Sequence, residues 1–240
     1  MKILFPRSRV LAATIALALC ACSGAPKLNV KDKGPGRSLN YLDGTAVKHL
    51  VAAFPPPPSD GSAQQKEEIE LLLARQNSRT ERECEIARSQ EDATFRDFFP
   101  GPDNPFAEPL SPAVDEFFAR TGEDVRVACR RLKKHAARRR PHDPRLRPCV
   151  TDVGSERSYP SRHTATSYLF AHILSDLVPA RSKEFFAAAE RGAQYRILAG
   201  VHYPSDLQAG RDYAAQLYKE FLKNENFRRD RESLRKYLRK

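Results

Sequence analysis

The chain has 240 residues, with 41 Lys and Arg against 30 Asp and Glu for a formal net charge of +11. That length admits one domain with a sizeable core. The charge is not uniform: residues 126–147 hold ten Lys or Arg against Asp143 alone, residues 228–240 carry a net +5, and outside these blocks and the first 22 residues the chain is net acidic. A uniformly nucleic-acid-coating protein is thereby excluded, and no nucleic-acid partner is expected.

Lys2, Arg7 and Arg9 precede an apolar run from Val10 to Cys22 that is interrupted only by Thr14. Thirteen residues are too few to span a bilayer but suit a secretory signal core. Leu19-Cys20-Ala21-Cys22 resembles a bacterial lipoprotein processing box, so residues 1–21 are expected to be a signal peptide and Cys22 a lipidated N-terminus. An ordinary signal peptide cut near Ala21 or Ala25 is the alternative. The expected location is periplasmic, anchored to a membrane through that lipid. Beyond Cys22 only Cys84, Cys129 and Cys149 remain, so one internal disulfide at most can form.

Residues 22–60, ending in Pro55-Pro56-Pro57-Pro58, are expected to run extended over the surface. From Ser62 the pattern is helical and nothing alternates with period two, so the fold is expected to be all-α, with a domain over 61–223 and a basic tail over 224–240. Capping boxes stand at Ser62-x-x-Gln65 and Thr80-x-x-Glu83, and Ser111-Pro112 is an N-cap followed by proline. Val125, Ala128, Cys129, Leu132 and Ala136 mark one apolar face of a helix that Pro141 should stop. Residues 140–159 are loop. Further helices are expected from Ser161 to Val178, from Ser182 to Gly200 and from Ser205 through Phe221. Small residues at Ala189, Gly192 and Ala193 suggest a close helix crossing.

Three clusters carry chemistry. Lys133 and Arg140, seven apart, would lie two turns apart on one helix face and converge on an anion, although basic runs more often coat a solvated face. Tyr159-Pro160-Ser161-Arg162-His163 sits where a helix begins, with free N–H groups, a hydroxyl at Ser161 and a histidine placed to protonate a leaving group; alone it could be a simple N-cap. Arg196-x5-His202-x3-Asp206 lets a carboxylate fix one imidazole tautomer and present the other nitrogen as a nucleophile. His202 and Asp206 could instead be half of a metal site, but the surrounding cations favour an anion. His49, His135, His142 and His172 have no comparable partners.

The three clusters in this order resemble the signature of the type-2 phosphatidic acid phosphatase and haloperoxidase superfamily, and the nearest likeness is to bacterial class A non-specific acid phosphatases. Phe54-Pro55-Pro56-Pro57-Pro58 and Asp206-Leu207-Gln208-Ala209-Gly210-Arg211 extend the likeness to about residues 41–223. The resemblance implies a helical bundle and hydrolysis of small phosphate monoesters without metal or cofactor. It implies that Lys133, Arg140, Arg196, Ser161 and the backbone N–H groups of Arg162 and His163 bind phosphate. His202 would attack phosphorus, Asp206 orient it and His163 protonate the departing oxygen. The environments of the two histidines should then push their pKa values apart. Arg162 and Tyr195 depart from the family pattern, which has glycine and serine there; arginine would be strained if that glycine needs positive φ. A lipid phosphate phosphatase and a catalytically weak phosphate or vanadate binder are the rival functions, and homo-oligomerisation is left open.

Overall fold

The computed structural model describes residues 39–240 together with the two-residue strand β1 (Asn29–Val30), which pairs in parallel with β2 (Asp152–Val153). The other regular elements are helices: α1 (Gly44–Ala53), α2 (Ala63–Ser78), α3 (Glu81–Ser89), the single turn α4 (Phe95–Phe98), α5 (Pro112–Ala136), α6 (Arg162–Leu177), α7 (Ser182–Leu198), α8 (Pro204–Phe221) and α9 (Glu225–Ser233). Ser62 and Thr80 cap α2 and α3 as their spacing predicts, and Thr80 and Glu83 form a reciprocal capping box.

The fold is all-α and centred on α6, which packs most extensively against α7 and α8. Ala165, Leu169, Phe170, Ala171, Ile173, Leu174 and Leu177 are buried around most of its circumference, the pattern of a helix enclosed on all sides. Gly210 lets α8 approach the start of α6: a Cβ there would meet Thr164 Cβ at 2.8 Å and the Ser161 carbonyl oxygen at 2.9 Å. The α6–α7 crossing also uses small residues, with Ser167 Oγ donating to the Ala189 carbonyl. Beside α5, Phe95 and Phe118 stack with centroids 3.9 Å apart and Phe170 meets Phe118 edge-on.

Both ends differ from the expected partition. Residues 44–53 within the 22–60 segment are helical, with Val47 and Val51 buried and Asp43 capping the first turn. The preceding backbone is held by Asp124, whose buried carboxylate accepts the N–H groups of Asn40, Tyr41 and Leu42 at 2.6–2.9 Å. Residues 224–240 are not a solvated tail. Phe227 and Leu234 enter the core, Asn224 Nδ2 donates to the Tyr41 carbonyl at 2.8 Å, and Arg235 caps the Leu177 carbonyl. Two apolar anchors in a charged stretch carry little periodicity, and the burial is tertiary in origin. The expected signal segment and Cys22 lie outside the described residues. Among those described, no helix is long and apolar enough to cross a membrane.

Cys84 and Cys149 form a disulfide that ties α3 to the segment before β2, while Cys129 is free and buried in α5.

Candidate active site

Lys133 lies in the last turn of α5, but Arg140 does not share its helix. Ala137 adopts a left-handed conformation (φ 54°) and ends α5 four residues before Pro141. Residues 138–140 then run extended against 156–158, through Ser158 N to Arg138 O at 2.9 Å and Arg140 N to Glu156 O at 3.1 Å. Extended backbone alternates its faces, so Arg138 and Arg140 turn inward while Arg139 stays exposed. The two cations still converge, by a turn and a strand-like stretch instead of a helix face.

Ser161, Arg162 and His163 open α6, and Ser161 N donates to the Asp206 carbonyl at 2.9 Å, which fixes α6 against α8. Arg196 comes from the end of α7. Gly200 (φ 74°) turns the chain, with Pro148 Cα 3.4 Å from where its Cβ would be, and His202 follows in that turn. Asp206 stands in the first turn of α8 and accepts Tyr203 N at 2.9 Å.

These elements surround a cleft of about 210 Å³ whose wall includes Lys133, Arg140, Arg162, His163, Arg196 and His202. His202 Nδ1 lies 3.2 Å from Asp206 Oδ2, and its Nε2 lies 3.1 Å from Arg140 Nη1. Arg140 can only donate, so Nε2 carries the lone pair and Nδ1 the proton directed to Asp206. Lys133 Nζ is held by the carbonyls of Arg157 and Ser158, both at 2.8 Å. Arg196 is only 3 % exposed, yet its Nε and Nη1 have no hydrogen-bond partner. A buried guanidinium with two open donors beside two further cations is a site built for an anion.

The electrostatics agree. Burial and then Arg196 pull Arg140 down to about 9, and burial and Arg162 pull Arg196 down to about 10. Lys133 is lowered by burial and by Arg140. Both histidines are driven well below the ordinary imidazole value: His202 by burial and then Arg140, His163 by burial and then Arg196 and Arg162. Crowded cations and lost hydration thus favour the neutral form of both rings. Burial raises the Asp206 carboxyl, against the opposing pull of Arg138.

Ser161 is not among the residues that line the cleft. It is fully buried, and its Oγ accepts from Thr164 N and Thr164 Oγ1 as the cap of α6. Arg162 is the first helical residue there and has no positive φ, so the strain anticipated for an arginine is absent. Tyr195 packs partly buried beside Val150, Val153 and Val201 and does not itself line the cleft. None of His49, His135, His142 and His172 lines it.

Sequence reasoning missed Arg138. Its Nη1 donates to Asp206 Oδ1 and its Nη2 to Glu68 Oε2, both at 2.8 Å, and its guanidinium lies 3.9 Å from the Tyr203 ring centroid. The inward alternation of 138 and 140 was the available signal, hidden inside a run of three arginines. It also missed Gln90 at the end of α3, whose carbonyl accepts from His163 Nε2.

Comparison with known proteins fits this geometry. The PAP2 superfamily matches residues 125–224, the stretch from Lys133 to Asp206 included. An acid phosphatase of Zymomonas mobilis is 33 % identical over 115 residues, 46 % of this chain and 44 % of that protein. A non-specific acid phosphatase of Providencia stuartii is 25 % identical over 80 % of this chain and 81 % of its own length, and one from Salmonella typhi is 44 % identical over 22 % of each. The chain thus spans less than half of the Zymomonas and Salmonella relatives it matches, and most of the Providencia one. Among solved structures, a bacterial vanadium-dependent iodoperoxidase shares the fold, with a TM-score of 0.55 at 18 % identity over 83 % of this chain and 62 % of that one.

Proposed function

We propose that this chain, which belongs to the PAP2 superfamily, is an acid phosphatase that hydrolyses phosphate monoesters through a phosphohistidine on His202. The observation that carries the proposal is the buried Arg196 guanidinium, with Nε and Nη1 unpartnered, lining the same cleft as a His202 whose Nε2 is the unprotonated ring nitrogen, accepting from Arg140.

A phosphate dianion in the cleft would meet Lys133, Arg140 and Arg196, replacing water with fixed donors and offsetting the crowding of cations. The Nε2 lone pair of His202 forms the P–N bond as the P–O bond of the ester breaks, and the three cations stabilise charge on the equatorial oxygens. Asp206 receives the Nδ1 proton of His202 in a hydrogen bond and balances the charge that develops on the ring. The bound dianion lies against His163 and favours its protonated form, so that His163 can give a proton to the departing alkoxide. Water then attacks phosphorus, the P–N bond breaks, and His163 takes back the proton from that water, leaving inorganic phosphate. Three side-chain cations occupy the role a divalent ion would have, so the reaction is proposed to need no metal.

Release of nitrophenol from p-nitrophenyl phosphate by the purified chain after exhaustive chelation tests the reading, with vanadate as inhibitor, since pentacoordinate vanadate mimics the transferring phosphoryl group. Sustained turnover and tight vanadate inhibition are expected. Loss of activity on chelation that zinc or magnesium restores would overturn it.

We further propose that the protein is exported and anchored through a lipidated Cys22. The Cys84–Cys149 disulfide supports an oxidising compartment. Intact-mass analysis of the exported protein should give a chain beginning at acylated Cys22; a start elsewhere would refute the anchor.

A further inference from the structure

The hydrogen bonding that orients His202 does not end at Asp206. Arg138 Nη1 donates to Asp206 Oδ1 and Arg138 Nη2 to Glu68 Oε2, both at 2.8 Å. One guanidinium thus bridges two carboxylates, one from α8 and one from α2. The side chains of Arg138, Glu68 and Asp206 are only 4 %, 8 % and 0 % exposed, so the three charges meet in the interior. Glu68 is fixed in turn at the start of α8, where its Oε1 accepts from Ser205 N at 2.6 Å. The open N–H groups and dipole of a helix N-terminus favour a carboxylate there. Gln65, also on α2, donates to the Tyr203 hydroxyl at 3.1 Å, and the Tyr203 ring centroid lies 3.9 Å from the Arg138 guanidinium.

The balance of charge shows what Glu68 adds. Asp206 and Arg138 alone would cancel, and a neutral pair does little for a ring that becomes cationic on taking the phosphoryl group. Arg138 also draws the Asp206 charge toward Oδ1, away from the Oδ2 that lies 3.2 Å from His202 Nδ1. With Glu68, two carboxylates and one guanidinium leave a net −1, and Arg138 is shared between two acceptors. Burial, and then Arg140, Lys133, Arg196 and Arg138, disfavour a cationic His202. The negative charge counters those cations in an interior that screens weakly.

We propose that Glu68 is a positioning residue of the reaction: through Arg138 it holds Asp206 on His202 Nδ1 and supplies the negative charge that balances the phosphorylated ring. The inference rests on the phosphatase reading and extends its machinery to α2. Glu68 is not among the residues that line the cleft, so its removal acts on phosphoryl transfer and not on substrate binding.

Glu68→Gln keeps the shape of the side chain and an acceptor for Ser205 N while it removes the charge. On p-nitrophenyl phosphate its kcat is expected to fall about tenfold, with KM within about twofold, the effect of one unit charge at a distance in a weakly screening interior. Glu68→Asp, which restores the charge, should recover most of that rate. Glu70→Gln, on the same helix but in an exposed pair with Arg145, should match wild type. Wild-type kcat in a folded Glu68→Gln, or a loss confined to KM, overturns the proposal. If Glu68→Gln does not fold, Arg138→Gln is compared with Glu68→Gln/Arg138→Gln, which leaves no charge stranded at position 68. Because Glu68 acts through Arg138, the two should agree in kcat within about twofold, and a further tenfold loss in the double variant refutes the link. If wild type turns over no ester, the phosphatase reading has failed, and the proton resonance of His202 Nδ1 decides the relay. Glu68→Gln should move that resonance upfield as Asp206 turns to Arg138; an unmoved resonance refutes it.

Discussion

Replacing His163 by asparagine should change how stability responds to acid. Burial is the main cause that drives the His163 pKa down, and Arg196 and Arg162 add to it, so the fold favours the neutral ring. In the unfolded chain an imidazole titrates near about 6.5. The folded value lies below the unfolded one, so below that pH the unfolded chain binds the extra proton. The contribution is fully present above about pH 6.5 and is lost as pH falls. Between pH 7 and pH 5 one histidine that stays neutral in the fold and titrates freely in the unfolded chain costs about 2 kcal/mol of stability. Urea unfolding at low salt, without phosphate, at pH 7, 6 and 5 measures this in wild type and His163→Asn. Taking the difference cancels the carboxylates common to both. The stability of wild type relative to the variant should drop from pH 7 to pH 5, by at most about 2 kcal/mol. Added phosphate should shrink that drop, because a bound dianion lets His163 keep a proton. A difference independent of pH would mean that the ring already holds its proton in the phosphate-free protein, and the electrostatic account of the site would be wrong.

Arg138→Gln strands two buried carboxylates, Asp206 and Glu68, and should cost about 3–5 kcal/mol of stability. Its kcat should fall with little change in KM and with a displaced pH profile, and Arg138→Lys should restore part of the rate; an unchanged profile would make Arg138 purely structural. The Cys84–Cys149 disulfide closes a separation of 65 residues, so Cys84→Ser/Cys149→Ser should lose about 4 kcal/mol in chemical denaturation. Because α3 ends at Gln90, whose carbonyl accepts from His163, activity on esters of poor leaving groups should decline before the protein unfolds. Full activity in the unfolded-transition foot of that variant would sever the proposed link.

Much of this was legible in the sequence because the signals were local. Ser62 and Thr80 announce their helices through capping, and α5, α6, α7 and α8 show apolar faces or prolines at their starts. Lys133, Arg140, His163, Arg196 and His202 were found by spacing and order, and the structure brings all five to one cleft. What escaped was tertiary. The helix α1 is stabilised by Val47 and Val51 docking on α5, and its lead-in by Asp124 about eighty residues away. The helix α9 is held by Phe227 and by Asn224 gripping Tyr41. Arg140 reaches the same cleft as Lys133 by a route other than the helix face expected, because a left-handed residue at Ala137 is unusual for alanine and leaves no mark in the pattern. Ser161 caps α6 by accepting from Thr164 N and Thr164 Oγ1, so any ligand it donates to shares that hydroxyl with the cap. Local hydrogen bonding of a serine at a helix start competes with any external ligand.

The central claim is that His202 forms the bond to phosphorus and that His163 serves the leaving group. Rapid quenching of the protein with p-nitrophenyl phosphate under alkaline conditions, which preserve an acid-labile phosphohistidine, followed by peptide mapping, tests both parts. Wild type should carry phosphate on His202. His163→Ala should still accumulate that phosphoenzyme from p-nitrophenyl phosphate, whose leaving group needs no proton, yet lose about 10²–10⁴-fold in rate on glycerol 3-phosphate. His202→Ala should form none and turn over neither ester. Phosphate mapped to His163, or steady turnover by His202→Ala, would contradict the account.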